Sequence, residues 1–452
     1  MWSGESLRTF WRSANAEQKR PRSRRPARDF PVEPLETRCL LSADHSPFTI
    51  GFDADGREWN ALAPVDEDDV DESRVHDHQP AVSEDQARTI AGRTTPPGGS
   101  PFPYADTFLL HSNPGAAHVI YLDFNGHVTT STPWNQNFTS NAPIVTPEYN
   151  TDSTAGFSNS ELTSIQKIWQ RVAEDFIAFN VDITTEEPSA DKLIKSSALD
   201  TDWGVRVVIG GSSYDWYGAG AGGVAYIGSF NWDSDTPTFV FPDQLGGGYE
   251  KYVSEATSHE VGHTLGLTHD GTSSLGYYQG HGSGETGWAP IMGAGYYVNL
   301  TQWSAGEYSD ANNLQNDLSI ITSQNGFGYR VDDYGDTLET AFTAHQTDST
   351  SVDGAGVINQ NTDVDVFRFE SGAGDINLTV TPFELGPDLD IVAELYSADG
   401  TLLTSVNPDT SLSATISTTV VAGDYYLKVS GTGKGDPLAT GYSAYGSIGQ
   451  YS

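Results

Sequence analysis

The 452-residue chain holds one cysteine, two methionines and only 23 lysines and arginines against 61 aspartates and glutamates. A single cysteine excludes any disulfide within the chain, so stability must come from hydrophobic cores and, where ligands allow, bound metal. Cys39 itself, in Glu36-Thr37-Arg38-Cys39-Leu40-Leu41, reads as an incidental thiol rather than a latency switch that ligands a metal. No run of 18 or more apolar residues occurs, so no transmembrane segment is expected, and no long apolar stretch follows the basic start as it would in a secretory signal. The shortage of basic residues is sharper than the net charge of −38 suggests: residues 1–38 hold 9 of them, leaving 14 against 56 acidic residues in the remainder. So acidic a body repels nucleic acid and anionic membrane, and no nucleic-acid partner is expected.

What is present divides the chain into four stretches. Residues 1–45 form a basic leader; residues 46–108, with the run Asp66-Glu67-Asp68-Asp69-Val70-Asp71-Glu72, bury too little to order and are expected to be a disordered acidic spacer or propeptide. Residues 109–331 carry alternating strand and helix patterns. His118 to Phe124 reads as a strand closed by Asn125-Gly126, and Val205 to Ile209 as one buried on both faces. Ser158 and Glu161 make a capping box ahead of Ile165, Ile168, Trp169, Val172 and Phe176 at helical spacing. Ala225-Tyr226-Ile227 and Phe239-Val240-Phe241 read as further strands, and Asn316 to Ile321 as the end of a last helix. Residues 332–452 change to short alternations separated by turns, the pattern of an all-β sandwich. The fold class expected is α+β.

The chemistry lies in His259-Glu260-Val261-Gly262-His263-Thr264-Leu265-Gly266-Leu267-Thr268-His269-Asp270. On a helix from about Tyr249 to Leu265, His259 and His263 share one face and can reach one metal ion, with Glu260 beside them. His269 can be a third ligand if the helix stops first, and Gly266 permits that stop by adopting the left-handed conformation. Three imidazoles leave a zinc ion one open position, whereas a structural zinc site closes all four, often with cysteines that this chain lacks. By composition a bare HExxH turns up in about one such chain in a hundred, the extended pattern in roughly a few per 10⁵.

These residues resemble the signature of the metzincin zinc metalloproteases, and Asp270 resembles the reprolysin-like branch. The resemblance implies a catalytic domain with a twisted mixed sheet and long helices, His259, His263 and His269 as Zn²⁺ ligands and Glu260 as catalytic base. It also implies that Met292, 23 residues after His269, forms the Met-turn beneath the metal. Gly266 and Asp270 would support the site. The position two after Met292 is Ala294, not Tyr, so a fifth tyrosine ligand of the astacin or serralysin kind is not expected there, and Tyr296 and Tyr297 come later. His281, in Gly280-His281-Gly282, is a spare imidazole, read chiefly as a surface-loop residue. Gly223, Val224 and Ala225 are candidates for an edge strand that pairs with an extended substrate.

Two further resemblances complete the reading. Pro34 to Ala43 is similar to the LEPR-x-LL-type element of exported bacterial proteins, with Thr37 in place of the usual Pro; a disordered basic tail is the competing reading. Residues 332–452 resemble a pre-peptidase C-terminal domain through Asp363-x-Asp365-x-Phe367-x-Phe369, Asp388-x-Asp390, Ala398-Asp399-Gly400 and Ala422 to Tyr426. Asp388 and Asp390 are candidates for Ca²⁺, with solvated turn residues as the favoured alternative. Together these imply a secreted or cell-surface zinc endopeptidase acting on protein or peptide, associated with the surface through its C-terminal domain. A surface adhesion or glycan-binding protein with a non-proteolytic domain is the alternative, and the intact Glu260 argues against it.

Overall fold

The computed structural model describes residues 49–52, 58–62, 100–348 and 350–452; the basic leader, Cys39 and the acidic run at 66–72 lie outside them. In chain order the first elements are strands β1 (Thr49–Phe52), β2 (Glu58–Leu62), β3 (His118–Asp123) and β4 (His127–Thr129), then helix α1 (Pro133–Phe138), strand β5 (Ile144–Thr146) and helix α2 (Asn159–Asp175). Strands β6 (Val181–Thr184), β7 (Gly204–Ile209), β8 (Gly223–Tyr226) and β9 (Thr238–Val240) precede helix α3 (Glu250–Thr264). Strands β10 (Trp288–Pro290) and β11 (Leu300–Gln302) and helix α4 (Asp317–Gln324) follow. This is a mixed architecture with few helices and many sheets, in keeping with the α+β class.

Seven strands form one sheet in the order β1-β2-β8-β9-β7-β3-β6. Strands β9, β7, β3 and β6 run parallel, while β8 is antiparallel to β9. Alternation sorts each strand's side chains between two layers. Val205, Val207 and Ile209 of β7 join Ile120 and Leu122 of β3 under α2 and α3, while Val208 joins Val224, Phe239 and Trp134 on the other face. Both faces are therefore covered, which is why β7 is apolar throughout its length except for Arg206. That guanidinium is bonded to Asp123, at 2.6 Å, and to Asp235 and Glu187.

Helix α2 begins where the capping box places it. The Glu161 N–H donates to Ser158 Oγ at 3.3 Å and the Ser158 N–H returns to Glu161 Oε2 at 2.8 Å. Its stripe Ile165, Ile168, Trp169 and Val172 packs into the core with Val253, Ala256 and Val261 of α3.

Three expectations change. Residues 49–52 and 58–62, within the stretch read as a disordered spacer, form an antiparallel pair, and β2 extends the main sheet by pairing with β8. Asn316 starts a helix rather than ending one: its side chain accepts from the Ser319 N–H at 2.9 Å and caps α4. Asp388 and Asp390 are buried, not solvated, because their turn is pressed between the C-terminal strands and the rest of the molecule.

The C-terminal strands form a five-stranded sheet, in the order Phe342–Thr343, Val364–Ser371, Gly423–Gly431, Ile391–Ser397 and Leu402–Val406, and a two-stranded one of Gly374–Val380 with Ala414–Val420. Gly449–Tyr451 pairs with Gly356–Ile358 and docks on α2. There Gln450 donates from its backbone N–H and from Nε2 to the two oxygens of Glu174, at 2.9 and 2.6 Å.

Candidate metal centre

Helix α3 ends as its sequence dictates. Gly266 takes φ +103°, the Leu267 N–H donates to the Gly262 carbonyl at 3.0 Å and the Gly266 N–H to the His263 carbonyl at 2.9 Å. This pair of bonds is the Schellman arrangement, and it turns the chain back toward the histidine face. His269 returns beside His259 and His263, with ring centroids 5.2 and 4.7 Å away. One ring nitrogen from each of the three lies within 4.8 Å of the others, so this group could hold a metal ion.

The hydrogen bonds assign the tautomers. His259 Nδ1 lies 2.9 Å from the Ile291 carbonyl and His263 Nδ1 2.9 Å from the Leu267 carbonyl. Carbonyls only accept, so both Nδ1 atoms carry the proton and both Nε2 atoms present a lone pair. His259 Nε2 is buried with no hydrogen-bond partner among the described residues, and His263 Nε2 is 3.0 Å from His269 Nε2. Tetrahedral zinc–nitrogen bonds of 2.0–2.1 Å set ligand nitrogens about 3.3 Å apart, so the spacing and the orphaned lone pair fit a cation between them. Burial opposes charging all three rings: His263 is lowered to about 4, and His259 and His269 fall well below the usual imidazole range.

The shell around the triad fixes it in place. Met292 is fully buried, and its sulfur would lie 2.4 Å from a Cβ added to Gly262. The turn around it is tied on three sides. The Ile291 carbonyl receives His259, the Met292 carbonyl accepts the Asp270 N–H at 2.8 Å, and the Gly293 N–H bonds the Pro290 carbonyl at 2.9 Å. The Asp270 carboxyl is buried and pushed up to about 8, chiefly by burial and then by the charge of Glu307.

Glu260 is buried against the sheet: a Cβ on Gly223 would fall 2.5 Å from its Cγ and 2.7 Å from Oε1. Of the three edge-strand candidates, Gly223 therefore touches the carboxylate, while Val224 and Ala225 continue along β8; contrary to expectation β8 is not an edge, because β9 pairs with it on one side and β2 on the other. Two tyrosines that the motif did not flag as site residues lie beside the triad and Glu260. Tyr277 sets its ring 4.3 Å from that of His269, and Tyr296 buries a hydroxyl with no hydrogen-bond partner among the described residues. Burial raises both phenols well above their usual range, and the charge of Glu260 adds to it. Tyr277 gave no signal in a loop without periodicity. Tyr297 is half exposed.

Other candidates lie elsewhere. His281 joins the C-terminal strands: its Nε2–H donates to the Gly441 carbonyl and Nδ1 accepts from the Tyr278 hydroxyl, both at 2.7 Å. Asp390 accepts from the Tyr442 hydroxyl at 2.8 Å, Asp388 faces Asp175, and among the described residues neither falls in a group of three metal-ligating side chains. The carboxylates that do cluster are Asp332, Asp336 and Asp363, and Asp332, Asp333 and Asp365, an all-oxygen set of the type that suits calcium. Among the described residues no helix is long and apolar enough to cross a membrane.

No protein-family profile and no curated protein matches the sequence. Among solved structures the chain is similar to the pre-peptidase C-terminal domain of collagenase from Bacillus anthracis, at 14% identity and a TM-score of 0.16, over 22% of this chain and 80% of that one.

Proposed function

We propose that the chain is a secreted or surface-associated zinc endopeptidase of the metzincin kind. The observation that carries this reading is the convergence of three neutral imidazoles, two with assigned Nε2 lone pairs, beside the buried carboxylate of Glu260. His259, His263 and His269 would hold zinc, which when bound acidifies water and polarises a peptide carbonyl. Glu260, sequence neighbour of a ligand and pressed against Gly223, takes the proton from the attacking water and delivers it to the departing amine. The side of β8 turned away from β9, which β2 covers in the intact chain, would align an extended substrate by backbone hydrogen bonds, so Gly223, Val224 and Ala225 position rather than react. Glu260, Tyr277 and Tyr296 are all buried, which keeps bulk water from the carboxylate.

The test is Glu260→Gln in zinc-loaded protein against a mixed peptide library. A positioned general base contributes about 10²- to 10⁴-fold. Loss of that order with one zinc retained per chain supports the proposal, and unchanged cleavage refutes it.

A further inference from the structure

We propose that the edge of β8 is an interaction surface whose partner in the intact chain is the chain's own strand β2, and that extended peptides reach the triad only after β2 has left. This rests on the peptide-binding reading of β8 given above. A sheet edge recognises any strand through its row of backbone donors and acceptors, so two strands competing for one side exclude each other. One side of β8 is taken by β9, with Gly223 opposite Val240 and Val224 opposite Phe239. The other side is taken by β2, antiparallel, with Trp59 opposite Tyr226, Asn60 opposite Ala225, Ala61 opposite Val224 and Leu62 opposite Gly223.

The register brings this occupant to the chemistry. Leu62, the last residue of β2, pairs with Gly223, the residue whose added Cβ would strike Glu260. Strand β2 also neighbours α3, which carries two of the three histidines. On its far side β1 completes a hairpin, Thr49 opposite Ala61 through Phe52 opposite Glu58, so the sheet edge has moved two strands outward. Being covalently joined to the body, β2 competes at an effective concentration on the order of mM. A peptide of equal intrinsic affinity at tens of µM would then lose access about 10- to 100-fold, by the same reasoning.

The experiment uses the full chain and Asn60→Pro/Ala61→Pro. Adjacent residues of a strand point their N–H groups to opposite neighbours, so the pair removes a donor toward β8 whichever residue supplies it. Three quantities are read with zinc bound: amide exchange of Val224 to Tyr226, cleavage of a quenched-fluorescent peptide, and binding of a labelled synthetic peptide of residues 49–62. The expected result is faster exchange, cleavage raised about 10- to 100-fold, and binding of the labelled peptide by the variant but not by the parent. Faster exchange with cleavage unchanged overturns the proposal, as does exchange already fast in the parent. If neither protein cleaves any peptide, the endopeptidase reading falls and the labelled peptide decides alone. Selective binding by the variant still supports occupation of β8 by β2, and equal binding overturns it.

Discussion

Substituting Gly262 by Ala tests whether the turn at Met292 sets the geometry of the metal centre. In an unobstructed helix interior this change stabilises by about 1 kcal/mol. Here the added Cβ would lie 2.4 Å from Met292 Sδ, with the ring of Trp303 at 3.4 Å. Methionine is adaptable, but this one is fully buried, and the carbonyls of Ile291 and Met292 are tied to His259 and Asp270. Whether the helix or the turn yields, His259 moves relative to His269. Overpacking of this kind costs about 1–3 kcal/mol, which outweighs the propensity gain and leaves a net loss of roughly 0–2 kcal/mol. Disturbing groups that orient metal ligands typically costs 10- to 100-fold in affinity, and a loss of that size is expected in zinc competition against a chelator. Met292→Ala alone should cost about 2–5 kcal/mol through the cavity it opens. Combined, the two should destabilise less than the sum, by a coupling of about 0.5–3 kcal/mol in denaturant titrations. A Gly262→Ala protein that gains the full propensity increment and binds zinc as before would refute the reasoning.

Gly266→Ala isolates backbone strain: the nearest atom to its added Cβ, on Ile320, is 3.7 Å away, so the cost comes from φ +103° and should be about 1–2 kcal/mol in denaturant titrations, with weaker zinc binding as His269 shifts. Glu174→Gln addresses pH. Burial pushes the Glu174 carboxyl up to about 8, above an unfolded value near 4.3, so between these the folded chain binds more protons and stability falls as pH rises through the window. The variant should show a shallower decline of Tm from pH 5 to pH 8, and an unchanged slope would refute the assignment.

The parts of the site that could be read in the sequence are those set by local geometry. Histidines four apart share a helix face, and a glycine three past the second one stops the helix, both independent of tertiary context. The Ser158–Glu161 capping box and the two-sided burial of β7 are similarly local. What escaped depends on partners distant in sequence. Strand β2 pairs with β8 more than 160 residues away through backbone groups, so its acidic surroundings hid it. Asp388 and Asp390 look like turn carboxylates; docking beside Asp175 of α2 buries Asp388, and the segment carrying Tyr442 and Ser447 covers Asp390. Asn316 suits either end of a helix, and the side-chain bond to Ser319 decides for the start. Tyr277 owes its place to the loop that returns from His269.

The last turn of α2 has a mechanical consequence. Glu174 grips Gln450 in the C-terminal strands, and the next residue, Asp175, accepts a hydrogen bond from Ser258, the neighbour of His259. Tension applied to the C-terminal strands is therefore delivered within two residues to the helix that carries His259 and His263. The C-terminal part is not an interchangeable cassette. Exchanging it for another module would strand two buried acids behind the histidines, so grafts must carry the Gln450 and Asp388 segments with them.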